Sequence, residues 1–376
     1  MKILVAPDKF RGSLSAEEAT EAICEGIAQG DPHSAAIPFP LADGGEGSAR
    51  ILTIHNRGTM VRTTVSNPLF KPVEADYGIS GDGKTAFVEM AAASGLHLIE
   101  PGKRNCYHTT SYGTGELIVD ALNRGVKNIV LGLGGSATND AGMGMAAALG
   151  YRFPDKDGNE LEPVGRNLAW IDRIDASNAF SGLTRPDVRV ACDVDNPLHG
   201  AQGAAHIYGP QKGASPQEVE QLDRGLVRFA SVVKDQMGKD TATVPGAGAA
   251  GGLGAGCLAF LDAALVPGTR LIMEDSGFEE RLAGSDLVIT GEGRLDEQTL
   301  RGKVVDIVCR MASALGKPVL VLCGQNALQN LPTHMKEATI YALIDRFPDA
   351  EQAISNARDG LAALAREVTG SGIRNR

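Results

Sequence analysis

The stretch Val130-Leu131-Gly132-Leu133-Gly134-Gly135-Ser136-Ala137-Thr138-Asn139-Asp140-Ala141-Gly142-Met143-Gly144-Met145 decides how the chain is read. The apolar run Asn128-Ile129-Val130-Leu131 has the pattern of a buried strand, and Met143 to Leu149 is helix-like. Glycines and short polar residues join them. Strand, glycine loop and helix start is the layout of an anion site. Glycine lets the backbone approach closely and take positive φ, while free N–H groups and the positive end of a helix dipole face a negative ligand. The spacing therefore predicts a phosphate-binding loop. The plainer alternative is a tight α/β turn that uses glycine only for packing.

Around this stretch lies a chain of 376 residues, long enough for two domains. Hydrophobic residues make up 43%, charged residues 22% and aromatics 5%, a composition that suits a soluble globular protein. Its 47 glycines exceed the usual share of about 7% and cluster beside apolar runs, which favours ligand loops over low complexity. A formal net charge of -10 argues against nucleic acid or an anionic membrane as partner. An anionic substrate must then be met by local cations. The six cysteines are scattered, with no C-x-x-C and no metal-spaced histidine pair, as in a reducing compartment. The chain opens directly on a strand, with neither a signal-peptide pattern nor a membrane-length apolar run, so a cytoplasmic location is expected.

Working outward, the strand Lys2–Ala6 delivers Pro7-Asp8-Lys9-Phe10-Arg11-Gly12-Ser13, and Ser15 with Glu18 forms a capping box for a helix through Ala28. The strand Ala35–Phe39 leads to Asp43-Gly44-Gly45-Glu46-Gly47 and another helix start. Asp43 is the functional candidate there, and Glu46 suits the helix dipole. From Met60 the pattern alternates as in antiparallel strands, with Gly81-Asp82-Gly83-Lys84 as a hairpin turn. The strand Val188–Cys192 ends in Asp193-Val194-Asp195-Asn196-Pro197. Its two acids could share one side of the chain, as a Mg²⁺ site needs, or simply set up an Asx turn. Lys212 and His206, in a glycine-punctuated loop, read as surface residues, and Ser215-Pro216 starts a long helix to about Met237. Gly246 to Gly256 reads either as a further anion loop or as a close helix-packing site.

Three more strands follow, Asp286–Thr290, Pro318–Leu322 and Thr339–Leu343; the first delivers Gly291-Glu292-Gly293-Arg294-Leu295-Asp296 as a loop, and a turn is expected at Cys323-Gly324. With the two N-terminal strands they can form one parallel sheet. The expected fold is α/β: a discontinuous Rossmann-like domain of residues 1–66 and 266–376, a second α/β domain of residues 67–265 inserted, and ligands in the cleft between them. Walker A spacing, a G-x-S-x-G elbow and a first-strand dinucleotide fingerprint are all missing. Acids at strand ends, lysine and arginine for phosphate charge, and glycine loops for oxygens are the parts of phosphoryl transfer. They predict a small-molecule kinase.

The segments Asp8–Ser15, Leu41–Gly47, Thr110–Glu116, Gly132–Asp140, Cys192–Leu198 and Thr290–Asp296, in this order, resemble the type I glycerate kinases across nearly the whole chain. Phe10-Arg11 departs slightly, as does the less glycine-rich Asp140-Ala141-Gly142. The resemblance implies transfer of the ATP γ-phosphate to D-glycerate with Mg²⁺, usually at the 2-hydroxyl to give 2-phosphoglycerate, on two α/β domains. A homodimer is compatible with it. On this reading Asp8 or Asp193 takes the hydroxyl proton. Lys9 and Arg294 offset charge, and Ser13, Arg11 and Asp43 contact glycerate. Gly134, Gly135, Ser136 and Thr138 hold phosphates, and Asp195 with Asp296 holds Mg²⁺. The rivals are a glycerate 3-kinase, a kinase of the galactokinase or mevalonate kinase type, which would carry an upstream proline and two serines missing here, and a sugar-acid sensor without turnover.

Overall fold

A computed structural model describes residues 1–181 and 186–370. Its strands are, in chain order, β1 (Lys2–Val5), β2 (Ala35–Pro38), β3 (Thr59–Ser66), β4 (Pro72–Ile79), β5 (Thr85–Glu89), β6 (Asn128–Gly132), β7 (Asp187–Ala191), β8 (Ala264–Val266), β9 (Leu287–Leu295), β10 (Val319–Asn326) and β11 (Thr339–Ala342). They form two sheets. The chain divides into two compact units, one of residues 1–43 with residues from 269 onward, the other of residues 44–268. The second unit thus begins at Gly44, ahead of the edge expected after residue 66, because β3 pairs along its whole length with β4.

The first unit holds a parallel sheet in the order β11-β10-β9-β1-β2, assembled from both ends of the chain. Its strands are continuous apolar runs, as a sheet covered on both faces requires. Ile3, Val5, Ile289 and Leu322 are buried with Ile23, Ile27 and Leu361 from the helices Ala16–Gly30 and Ala357–Gly370, which pack on each other. Each such side chain contributes about 1.5–3 kcal/mol by leaving water. The first helix starts at the expected capping box: Glu18 N–H donates to Ser15 Oγ at 3.1 Å and Ser15 N–H to Glu18 Oε2 at 2.8 Å.

One expectation fails in this sheet. Gly291-Glu292-Gly293-Arg294 is not a loop but the continuation of β9, and no turn interrupts β10 at Cys323-Gly324. The two strands stay paired as far as Arg294 with Gln325 and Leu295 with Asn326. The neighbouring strand satisfies backbone groups that the local glycine-rich composition suggested were free. Glu292 is therefore held in a strand.

In the second unit the order is β3-β4-β5-β6-β7-β8, antiparallel from β3 to β5 and parallel from β5 to β8. Leu131, Val190, Leu117, Leu253 and Phe229 belong to its core. The helix Pro216–Met237 begins at the capping box of Ser215 and Glu218. Gly246 to Gly256 resolves as packing. Ala250, Gly251 and Gly252 are left-handed, and a Cβ on Gly251 would sit 2.0 Å from the carbonyl oxygen of Thr138. Only glycine permits that approach. The helix Ala249–Phe260 thereby lies with its backbone against the loop that follows β6.

Candidate active site

In the first unit, three adjacent strands each bring a carboxylate at or just beyond their carboxyl ends, the position where open α/β sheets hold ligands. Asp8 follows β1, Asp43 follows β2, and Glu292 lies in the last part of β9. Asp8 is 4% exposed; its backbone N–H donates to the Gly291 carbonyl at 2.8 Å, and its Oδ1 accepts the Lys9 N–H at 2.7 Å. Burial, then the negative charge of Asp43, pushes its carboxyl up to about 7, against the pull of the Lys9 N–H and ammonium; Glu292 adds to the rise. Glu292 is likewise raised to about 7, first by burial, opposed by the Thr299 hydroxyl that donates to its Oε1 at 2.6 Å. Lys9 Nζ stands 3.6 Å from Asp43 Oδ1, both half-buried. The structure thus gathers Asp8, Lys9 and Asp43 from the sequence-derived candidates and adds Glu292.

The other candidates of this unit lie in simpler settings. Ser13 donates its hydroxyl to the Phe10 carbonyl at 3.0 Å, closing the turn in which it sits, and Arg11 is exposed. Arg294 Nε is 3.8 Å from Asp296 Oδ2, and Asp296 Oδ1 accepts the Gln298 N–H at 2.9 Å.

In the second unit the glycine loop after β6 departs from the simple anion-site picture in an instructive way. The helix it leads to, Met143–Ala148, is short, and its first donors are already taken. Asp140, fully buried, accepts the N–H groups of Gly142 and Gly144 at 3.2 Å and the N–H and hydroxyl of Ser111 at 2.7 and 2.8 Å. The Ser111 Oγ in turn accepts the Met145 N–H at 2.9 Å. Burial raises the Asp140 carboxyl, and these donors oppose the rise. The helix start is sealed from inside. What the loop leaves open is Gly134 and Gly135, both exposed, whose N–H groups engage no acceptor among the described residues. Gly135 has φ +75, and a Cβ there would lie 3.2 Å from the Ala91 Cβ. The carbonyl of Gly135 accepts the Leu96 N–H at 2.9 Å, which fixes the direction of the peptide.

Beneath the loop lies a residue that the sequence reading took for surface. Lys212 is 4% exposed, and its Nζ donates to Ser136 Oγ at 2.6 Å and to the Thr138 carbonyl at 2.8 Å. Burial pulls its ammonium down to about 8. Thr138 is buried as well, its hydroxyl 3.5 Å from the Ala250 carbonyl, so it belongs to the underside of the loop. Beyond β7, Asp193 and Asp195 are exposed, and Asp193 Oδ1 accepts the Gly268 N–H at 2.8 Å. The Asn196 side chain is engaged at both ends, donating to the Gln202 carbonyl and accepting from the Tyr208 hydroxyl.

Among the described residues no group of three or more Asp, Glu, His or Cys side chains is arranged to hold a metal ion. A Mg²⁺ that takes one or two carboxylates and fills its shell with water and phosphate oxygens fits such a donor supply; a protein-built calcium cage does not. Among the same residues no helix is long and apolar enough to cross a membrane.

Comparison with known proteins bears on this geometry. The sequence profile of the Glycerate kinase family matches residues 3–371. The chain is 43% identical to a glycerate kinase of Halalkalibacterium halodurans, with 97% of each chain covered. It is 42% identical to the glycerate 2-kinase of Escherichia coli over the full length of both. A crystal structure of a Salmonella typhimurium protein assigned as glycerate kinase 2 matches with a TM-score of 0.88 at 42% identity, covering 99% of this chain and 98% of the other.

Proposed function

This chain belongs to the glycerate kinase family, and on that premise we propose that it transfers the γ-phosphate of ATP to D-glycerate, forming 2-phosphoglycerate and ADP. The observation that carries the reading is the end-to-end match, without gaps in coverage, to a glycerate 2-kinase. The reaction needs a base at the acceptor hydroxyl, donors for the phosphate oxygens and neutralisation of charge in transfer.

Asp8 is the better placed of the two candidate bases. A carboxyl poised near neutral pH is matched to general-base work, and burial fixes its direction. Asp8 takes the proton from the glycerate 2-hydroxyl as the new O–P bond forms; the bond between the γ-phosphorus and the β,γ-bridging oxygen breaks, and ADP leaves with that electron pair. Lys9, held near Asp43, offsets negative charge beside this step. Arg11 and Arg294, both exposed, are the cations available to the glycerate carboxylate, and Asp43 and Ser13 complete the acceptor contacts. The N–H groups of Gly134 and Gly135 and the Ser136 hydroxyl meet the phosphates, while Thr138 holds the loop in shape. Asp195 and Asp296 are the candidate Mg²⁺ carboxylates; when bound, the ion would neutralise phosphate oxygens. Asp193 is the alternative base.

The free state of all six cysteines supports a cytoplasmic enzyme, and light scattering on the purified protein checks for a homodimer. A coupled ATPase assay with D-glycerate and Mg²⁺ tests the proposal. Turnover that depends on glycerate, with a product that enolase alone converts onward, supports it. A product that needs a mutase first identifies a 3-kinase instead. Glycerate binding without turnover identifies a sensor.

A further inference from the structure

Lys212 is an ammonium group that the fold buries without giving it a charged partner. Both of its hydrogen-bond acceptors, the Ser136 hydroxyl and the Thr138 carbonyl, are neutral. The nearest titratable groups do not repair this. Cys106 carries a thiol that burial pushes up to about 11, and the Asp140 carboxyl is saturated by the Ser111, Gly142 and Gly144 donors. A buried charge left in this state is costly, whereas methionine or leucine would fill the space without the cost.

The geometry also fixes the direction of a hydrogen bond. An ammonium can only donate, so the Ser136 oxygen must accept from Lys212, and its own hydrogen is turned to another acceptor. Polarised by the ammonium, that O–H is a stronger donor than an isolated serine. It sits next to the exposed N–H groups of Gly134 and Gly135.

We propose that Lys212 acts on a bound polyphosphate through Ser136: the ammonium orients and polarises the serine hydroxyl toward the anion, and the anion supplies the counter-charge that Lys212 lacks, so that nucleotide binding and Lys212 protonation are linked. The inference rests on the reading of Gly134–Ser136 as the phosphate loop. Lys212 is a positioning residue in it, since it reaches the ligand through another side chain.

Linkage gives a readout that a merely structural lysine would not move. Above about pH 8 the free protein holds Lys212 neutral, and binding restores the proton. Isothermal titration of ATP with Mg²⁺, in two buffers of different ionisation enthalpy, is expected to show proton uptake above that pH and little below it. Lys212→Met should abolish the uptake and weaken ATP binding by about tenfold or more. Ser136→Ala should weaken it comparably, and the double variant should lose little more, because the two residues act as one chain. Wild-type binding of ATP with no pH-linked proton uptake overturns the proposal. So does a folded Lys212→Met protein with wild-type affinity, or fully additive losses in the cycle. Should Lys212→Met not fold, the wild-type titration and Ser136→Ala decide. A wild-type protein that binds no ATP at any pH overturns the phosphate-loop reading itself, a different and distinguishable failure.

Discussion

The loop over Lys212 and the strand ends carrying Asp8, Asp43 and Glu292 handle buried charge with opposite sign and by opposite means. In the second unit one cation is buried under neutral partners, and the exposed surface above it is bare glycine backbone. In the first unit carboxylates crowd one another, with Lys9 beside Asp43. The cation is displaced downward, to about 8, and the carboxyls upward, to about 7. Both shifts have burial as their largest cause. The lesson is that each unit keeps its ionisable group near the pH where it must change hands with a ligand: the loop awaits an anion, the carboxyls await a proton.

The comparison is broken most severely by removing the base. Asp8→Asn keeps the shape and the hydrogen-bond acceptor but cannot take a proton, and kcat is expected to fall by about 10²–10⁴ while the protein stays folded. Asp193→Asn, at an exposed residue bonded to Gly268, should cost less. Steady-state kinetics on the two variants decide between them, and a larger loss at Asp193 would move the base to the second unit. Next in size, Gly135→Val strains a left-handed residue and meets Ala91, so KM for ATP should rise by about tenfold with kcat less affected. An equal rise in the KM for glycerate would show that the loop serves the acceptor instead.

The pH profile sharpens the comparison further. Activity at limiting ATP should rise through about pH 7 as Asp8 ionises and fall above about pH 8 as Lys212 loses its proton. Glu292→Gln removes a neighbouring negative charge, which makes Asp8 easier to ionise. The acid limb should then move to lower pH and the alkaline limb stay in place. An unmoved acid limb would detach Glu292 from the base.

The parts of this site differ in how far the sequence revealed them, and the reason is the range of the interaction. Capping boxes at Ser15 and Ser215 are local patterns, and both helices begin there. The parallel sheet was legible because its strands are continuous apolar runs with acids after them. Lys212 was not, since its burial comes from Ser136 and Thr138, more than seventy residues earlier in the chain. Nothing in Gln211-Lys212-Gly213 distinguishes it from a solvated turn. The same holds for the loop Gly291 to Arg294, whose strand character is imposed by β10. Gly246 to Gly256 could be read two ways because glycine serves close packing and anion binding alike; the contact with Thr138 decided it.

The smallest expected effect concerns the stability of the unliganded protein. Asp8 has a folded-state value raised from 3.8 to about 7, so its protonated form is favoured by folding, and the stability it contributes is full below the unfolded value and lost as the pH rises toward 7. Glu292 acts in the same direction. Lys212 is lowered from 10.5 to about 8; its contribution is present above the unfolded value and lost as the pH falls through 8. Together they place a shallow minimum of stability between about pH 7 and 8. Thermal melts across pH should show a dip of a few degrees there. Asp8→Asn should flatten its acid side and Lys212→Met its alkaline side, each leaving the other intact. ATP with Mg²⁺ should fill the dip from the alkaline side, because the anion pairs with the charged lysine and binds only the folded chain. The enzyme is then least stable, when empty, at the pH where its groups are set for transfer, and a wild-type curve flat through that window would show that the burial of these charges is relieved in solution.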